Sequence, residues 1–133
     1  NTMLDITRIN HVGLRESDLT TTRGFYEKLG FAFIIGPVGP EPVAIMEHPS
    51  GVNINFILNA PKGEKLNVLM DVPDKYTGYT HVALEVTDLL AAQQYLESIN
   101  YKITEGPVVL PDGGAFIFIR DPDDNVIEFH KPA

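Results

Sequence analysis

Short stretches of this chain alternate between hydrophobic and polar positions. In residues 79–86, which read YTHVALEV, threonine, valine, leucine and valine take every second place, and tyrosine, histidine, alanine and glutamate take the others. Residues 52–58 place valine, isoleucine, phenylalanine and leucine on one side, with two asparagines and an isoleucine opposite. Because strand side chains point alternately to two faces, both patterns predict strands with one apolar face and one unusually polar face.

Two other stretches space their apolar residues at helical intervals. Asp18 and Asp88 stand directly before them and are residue types that cap the start of a helix. Gly30 and Asn100 stand after them and readily take the left-handed conformation that ends a helix. We therefore predict two helices, whose apolar faces contain Leu19, Tyr26 and Leu29 in the first and Leu89, Ala92, Leu96 and Ile99 in the second.

The chain contains an internal repeat. A shift of 70 positions aligns HVGLRESDL at residues 11–19 with HVALEVTDL at residues 81–89, and aligns Gly36-Pro37 with Gly106-Pro107. After a three-residue length difference, HPSGVNINF at residues 48–56 aligns with DPDDNVIEF at residues 121–129. A repeat of this length indicates two copies of one structural unit within the chain.

Each half of the repeat has the element order βαβββ, which predicts a single α+β domain built from two modules. Module one covers about residues 5–60, a connector rich in proline, glycine and charge covers about 61–77, and module two covers about 78–131. We expect the connector also to cover a site. The predicted strands cover residues 6–14, 31–35, 43–47 and 52–58 in module one, and 79–86, 101–105, 115–120 and 125–130 in module two.

Composition excludes several classes of function. The formal net charge is −8, which repels phosphate backbones and anionic membrane surfaces, so nucleic acid and membrane are not expected partners. The chain has no cysteine, which excludes disulfides, thiolate metal ligands and a cysteine nucleophile. It has neither an apolar run of spanning length nor a basic stretch followed by an apolar one near residue 1, so we expect a cytoplasmic protein.

Glu128 is the residue that most needs an explanation. It lies between Ile127 and Phe129 in a predicted strand, where burial of an unpaired charge would be costly. The repeat places His11 and His81 on equivalent first strands, and alternation turns both of them and Glu128 toward the polar, concave side of the sheet. Two imidazoles and one carboxylate are a sufficient ligand set for Fe, Mn, Ni, Co or Zn, and a divalent ion would neutralise Glu128.

The motifs INHVGLRESDL, FYEKLGF, YTHVALEV and DPDDNVIEF resemble the vicinal-oxygen-chelate superfamily, which includes glyoxalase I, extradiol dioxygenases, and fosfomycin and bleomycin resistance proteins. The resemblance covers nearly the whole chain. It implies a curved, partly open mixed β-barrel with helices outside, a homodimer, and a small-molecule substrate. It also implies that His11, His81 and Glu128 bind the metal, with Asn55 at the fourth ligand position. Of these residues Glu128 is the only candidate for the catalytic base, and as a metal ligand it would have to loosen to act.

Asn55 departs from the glyoxalase I pattern, which generally has glutamate at that position. An amide oxygen is a neutral, weaker ligand and cannot act as a base. Asn55 therefore either binds the metal weakly or hydrogen-bonds a neighbour or a metal-bound water. A His, His, Glu set without the fourth carboxylate resembles the Fe(II) extradiol dioxygenases, so the ligand set alone leaves both reactions open.

Arg15 and Asn59 match positions that hold the γ-glutamyl end of glutathione in glyoxalase I-like enzymes, which implies glutathione as a co-substrate. An arginine is suited to this task because its guanidinium can bind a carboxylate through two hydrogen bonds. The leading hypothesis is thus a metal-dependent lyase or isomerase that acts on a vicinally oxygenated carbonyl or its thiol adduct. The alternatives are an extradiol-type dioxygenase and a non-catalytic protein that binds a small molecule such as a drug.

Overall fold

The βαβββ order is present twice in the computed structural model, which describes residues 3–64 and 66–133. This confirms the α+β class and the two modules. The chain divides into two compact units, one that ends at Gly63 and one that begins at Glu64, so the connector groups with module two. Module one contains β1 (Val12–Arg15), α1 (Leu19–Glu27), β2 (Ala32–Val38), β3 (Val43–Glu47) and β4 (Asn53–Ile57); module two contains β5 (His81–Glu85), α2 (Leu89–Ser98), β6 (Glu105–Val109), β7 (Ala115–Arg120) and β8 (Val126–Lys131).

The two modules contain mixed sheets of identical topology. The strand order is β1-β4-β3-β2 in module one and β5-β8-β7-β6 in module two, and the described strands form no closed barrel. The first and last strands of each module run parallel, because a helix connects the first strand to the rest of the sheet. Gly13 pairs with Asn55 in one sheet as Ala83 pairs with Glu128 in the other, so strand register follows the sequence repeat residue by residue.

Both helices begin where the sequence predicts, but they end before Leu29 and Ile99, which the sequence assigns to their apolar faces. The side chains of Asp18 and Asp88 accept hydrogen bonds from the backbone N–H groups of Thr21 and Ala91, which otherwise lack a partner inside the helix. Just beyond the helices, Gly30 and Asn100 have positive φ angles of 98° and 63°. Within the described part of the chain, neither helix is long and apolar enough to cross a membrane.

Each helix packs on the apolar face of its own sheet. In module one, Tyr26 of α1 lies 4.7 Å from Phe56 of β4 between ring centroids, and both side chains are fully buried. In module two, Leu96 of α2 is buried, as are Ile117 and Ile119 of β7 and Ile127 of β8. Burial of these side chains turns the alternate positions of the same strands, including Glu128, to the opposite face.

Several predicted strand bounds were wrong. β1 begins at Val12 instead of residue 6, and β6 covers Glu105–Val109 instead of 101–105. After the left-handed turn at Asn100, the N–H of Tyr101 donates to Leu96 at the end of α2, so this backbone is not available to the sheet. β2 continues past residue 35 to Val38. Gly36 within this strand has a φ of 139°, and the register between β2 and β3 shifts between Ile35 and Val38.

Candidate functional site

Glu128 lies in the middle of β8, between Ala83 of β5 and Phe118 of β7. Its side chain is only 11% exposed, and both carboxylate oxygens have a histidine partner. Oε1 lies 3.0 Å from Nε2 of His81, and Oε2 lies 2.7 Å from Nδ1 of His130. The structure therefore brings together His81 and Glu128, two of the residues that the sequence selects, and adds a third that it does not select.

The two repeat-related histidines have the same local environment. Nδ1 of His11 lies 2.8 Å from Oδ1 of Asn10, and Nδ1 of His81 lies 2.9 Å from Oγ1 of Thr80. Asn10 and Thr80 are equivalent positions in the repeat. In both modules the residue before the histidine thus engages Nδ1. A metal-binding imidazole commonly has such a partner on its second nitrogen, and Nε2 is then the nitrogen for a ligand.

From the sequence, His130 shares a strand face with Glu128, and a surface residue is favoured over a partner of the site. The structure corrects this interpretation. Its side chain is 31% exposed, and it hydrogen-bonds Glu128 two positions earlier on the same face of β8. Alternation along the strand places His130 and Glu128 on one face, but it does not indicate that the imidazole turns back along the strand to the carboxylate. Only the side-chain conformation reveals this contact.

Two aromatic side chains line the same face of module two. The ring of Phe118 lies 5.3 Å from that of His81, and the ring of Phe116 lies 6.3 Å from that of His130 with only 9° between their planes. The two phenylalanine rings are 5.3 Å apart. Both residues are partly exposed, as expected for the wall of a pocket and not for the core.

In module one the structure brings together the predicted substrate-binding residues Arg15 and Asn59. Arg15 ends β1, Asn59 follows β4, and Nε of Arg15 donates to Oδ1 of Asn59 over 2.8 Å. Both residues are exposed, so an anionic ligand can reach them from solvent. Asn55 lies in the middle of β4 between Gly13 and Ile45, at the position that corresponds to Glu128, and it is partly exposed.

The connector is attached to module two through Arg120 at the end of β7. The guanidinium of Arg120 makes two hydrogen bonds, of 2.8 and 2.9 Å, to the carboxylate of Asp71. This pairing lowers the pKa of Asp71 and raises that of Arg120. Nδ2 of Asn67 also donates to the backbone oxygen of Asp124. Because Arg120 shares a strand face with Phe116 and Phe118, these contacts hold the connector at the edge of the face that contains Glu128.

The donor atoms of module two suit a pair of metal ligands. Two neighbouring ligands of an octahedral ion, each about 2.1 Å from it, lie about 3.0 Å apart. The separation between Nε2 of His81 and Oε1 of Glu128 is 3.0 Å. Residues 3–64 and 66–133 contain no group of three or more histidine, aspartate or glutamate side chains arranged to hold an ion. The roles of His81 and Glu128, and of His11 in module one, therefore stay predictions.

Comparison with known proteins identifies the family. The sequence profile described as the Glyoxalase/Bleomycin resistance protein/Dioxygenase superfamily matches residues 8–129. No curated protein sequence matches the chain at a significant level.

Solved structures share the fold over almost the whole chain. A glyoxalase family protein from Enterococcus faecalis is 21% identical, with a TM-score of 0.78 over 92% of this chain and 96% of its own. A virulence protein from Salmonella typhimurium is 26% identical, with a TM-score of 0.69 over 98% of this chain and 100% of its own. An antibiotic-binding protein from Streptomyces is 19% identical, with a TM-score of 0.73 over 98% of this chain and 99% of its own. The profile match and the paired βαβββ modules lead to one conclusion: the chain belongs to the Glyoxalase/Bleomycin resistance protein/Dioxygenase superfamily, the vicinal-oxygen-chelate proteins that its motifs resemble.

Proposed function

We propose that this protein is a metal-dependent lyase or isomerase that acts on a small, vicinally oxygenated carbonyl or its thiol adduct. The observation that carries the proposal is the 3.0 Å approach of Nε2 of His81 to Oε1 of Glu128 in module two. Both are proposed metal ligands. A bound divalent ion would stabilise negative charge that develops on substrate oxygens during proton transfer.

Glu128 is also the proposed base, because a carboxylate can accept a proton and the amide of Asn55 cannot. Oε2 of Glu128 is engaged by His130 and Oε1 is the proposed metal donor, so Oε1 would have to loosen from the ion to accept the proton. The apolar rings of Phe116 and Phe118 on the same face limit the access of water to that oxygen.

Arg15 and Asn59 are proposed to bind a substrate carboxylate, such as that of the γ-glutamyl group of glutathione. The hydrogen bond of 2.8 Å from Nε of Arg15 to Asn59 fixes the orientation of the guanidinium. The proposal therefore includes glutathione as a co-substrate and a divalent ion as the cofactor.

The experiment measures turnover of a hemithioacetal of glutathione and a 2-oxoaldehyde, with Fe²⁺, Ni²⁺, Mn²⁺, Co²⁺ or Zn²⁺ supplied separately. We expect turnover with at least one ion and, for Arg15→Met, a KM higher by roughly tenfold or more with a similar kcat, because a charge-assisted contact made before the chemical step is lost. Arg23→Met is the matched control, since Arg23 bonds to Glu27 on α1. Absence of turnover with every ion would contradict a lyase or isomerase that acts on glutathione adducts. An unchanged KM in Arg15→Met would contradict only the assignment of Arg15 to glutathione binding.

A non-catalytic small-molecule binder is the second candidate. One observation favours it: each oxygen of Glu128 lies within 3.0 Å of an imidazole nitrogen, so the carboxylate is paired without an ion. An antibiotic-binding protein has the same fold. Tight binding of a cationic drug to the metal-free chain, without turnover in the presence of metal, would support this candidate over the first.

A further inference from the structure

His130 has a contact with Glu128 that the superfamily's ligand positions do not explain. Its Nδ1 lies 2.7 Å from Oε2 of Glu128, the oxygen that faces away from His81. A carboxylate that binds a metal ion is ionised and can only accept hydrogen bonds, so Nδ1 of His130 would be the donor to a metal-bound Glu128. The two imidazoles thus engage different oxygens of the same carboxylate.

The ring of His130 is held in place by its neighbours. Phe116 is its partner in the antiparallel pairing of β7 and β8, and the two rings stack with an angle of 9°. On the other side of β8, Glu85 of β5 is its register partner. Because His130 lies on a paired strand with its ring against an aromatic side chain, it can restrain Glu128 rather than follow its movements.

The internal repeat provides an independent comparison. Asn55, Ile57 and Val43 of module one are equivalent to Glu128, His130 and Phe116 of module two, because the same strand pairings relate them. Where the carboxylate is replaced by a neutral amide, the imidazole is replaced by isoleucine and the aromatic ring by valine. The imidazole and its stacking partner therefore occur in the module that has the carboxylate.

We propose that His130 is a positioning residue: its Nδ1–H fixes Oε2 of Glu128 and leaves Oε1 directed toward Nε2 of His81, where both atoms can bind a divalent ion. This inference rests on the metal site of the proposed function. His130 is not proposed as a ligand, because its Nδ1 faces the oxygen of Glu128 that points away from His81. Hydrogen-bond partners of metal ligands typically contribute a factor of about 10–100 to metal affinity.

The test compares two variants in titrations with Co²⁺, measured by calorimetry and by the visible spectrum of the bound ion. His130→Phe retains a ring to stack on Phe116 and removes the donor. His130→Asn places an amide N–H near the position of Nδ1 and should restore part of the affinity. We expect Co²⁺ affinity to fall about tenfold or more in His130→Phe, with an unchanged spectral shape, and to recover partly in His130→Asn. Urea unfolding of the metal-free proteins controls for loss of the fold.

Each other outcome overturns a defined part of this account. Equal affinity in the unaltered chain and in His130→Phe would overturn the positioning role and leave the metal site intact. A spectrum in His130→Phe that indicates one nitrogen ligand fewer would also overturn it, because His130 would then be a ligand. Failure of the unaltered, folded chain to bind Co²⁺ or any other divalent ion would overturn both the proposed function and the role of His130.

Discussion

Replacement of Gly36 by alanine is expected to lower the free energy of unfolding by about 3 kcal/mol or more. Gly36 lies in β2 with a φ of 139°, a backbone conformation that residues with a Cβ rarely adopt. A Cβ at this position would lie 2.5 Å from Cα of Ala44 and 2.7 Å from the backbone oxygen of Val43, both in the adjacent strand β3. The strands would have to separate to accept it. Urea unfolding monitored by circular dichroism measures the loss.

Gly24→Ala is the matched control for this substitution. Gly24 lies within α1, and apart from its chain neighbours and the helix's own backbone nothing lies within 4 Å of the position that its Cβ would occupy. Alanine has a higher helix propensity than glycine, so this variant should be more stable by up to about 1 kcal/mol. Similar stabilities for Gly36→Ala and Gly24→Ala would contradict the close contact between β2 and β3.

Replacement of Glu128 by glutamine is expected to reduce divalent metal affinity by at least about a hundredfold, because loss of a ligand should exceed the loss of a ligand's hydrogen-bond partner. The amide keeps the size of the side chain and can still bond to His81 and His130, so the fold should persist. It removes the negative charge that a dication favours. Calorimetric titration with Zn²⁺ measures the change.

Glu97→Gln provides the control for Glu128→Gln, since Glu97 is exposed on α2 and the substitution makes the same change in charge. We expect its Zn²⁺ affinity to equal that of the unaltered chain. If Glu128→Gln also bound Zn²⁺ with unaltered affinity, Glu128 would not be a ligand, and the buried carboxylate would require another explanation.

Much of the fold could be predicted because the relevant signals are local. Asp18 and Asp88 cap the helices by accepting hydrogen bonds from residues only three positions further along the chain. Gly30 and Asn100 end the helices through their own backbone conformation. The repeat then transferred each assignment from one module to the other. The bounds of the strands were less predictable, because a strand begins only where a neighbouring strand can hydrogen-bond to its backbone. The backbone at Tyr101 is engaged by Leu96 of α2, and no residue in the predicted strand indicates this.

The candidate site could be predicted in part for a similar reason. The family resemblance selects Arg15 with Asn59, and their Nε and Oδ1 atoms lie 2.8 Å apart. Alternation and the repeat indicate which residues share the polar face and select His81 with Glu128, whose Nε2 and Oε1 atoms lie 3.0 Å apart. They do not indicate which of several polar side chains on a face turn toward each other. His130 was therefore missed, although its replacement by Ile57 in module one was a signal that the sequence already contained.

Elemental analysis of the protein purified without added metal is the decisive test for a metal site in module two, with a His81→Ala/Glu128→Ala double variant prepared in parallel. Nε2 of His81 and Oε1 of Glu128 are the donors that the proposal assigns to the ion. If these donors bind the ion, the unaltered protein should contain about one divalent ion per site and the double variant none. No metal in either protein, and no uptake when the folded, unaltered chain is titrated with divalent ions, would contradict the proposal.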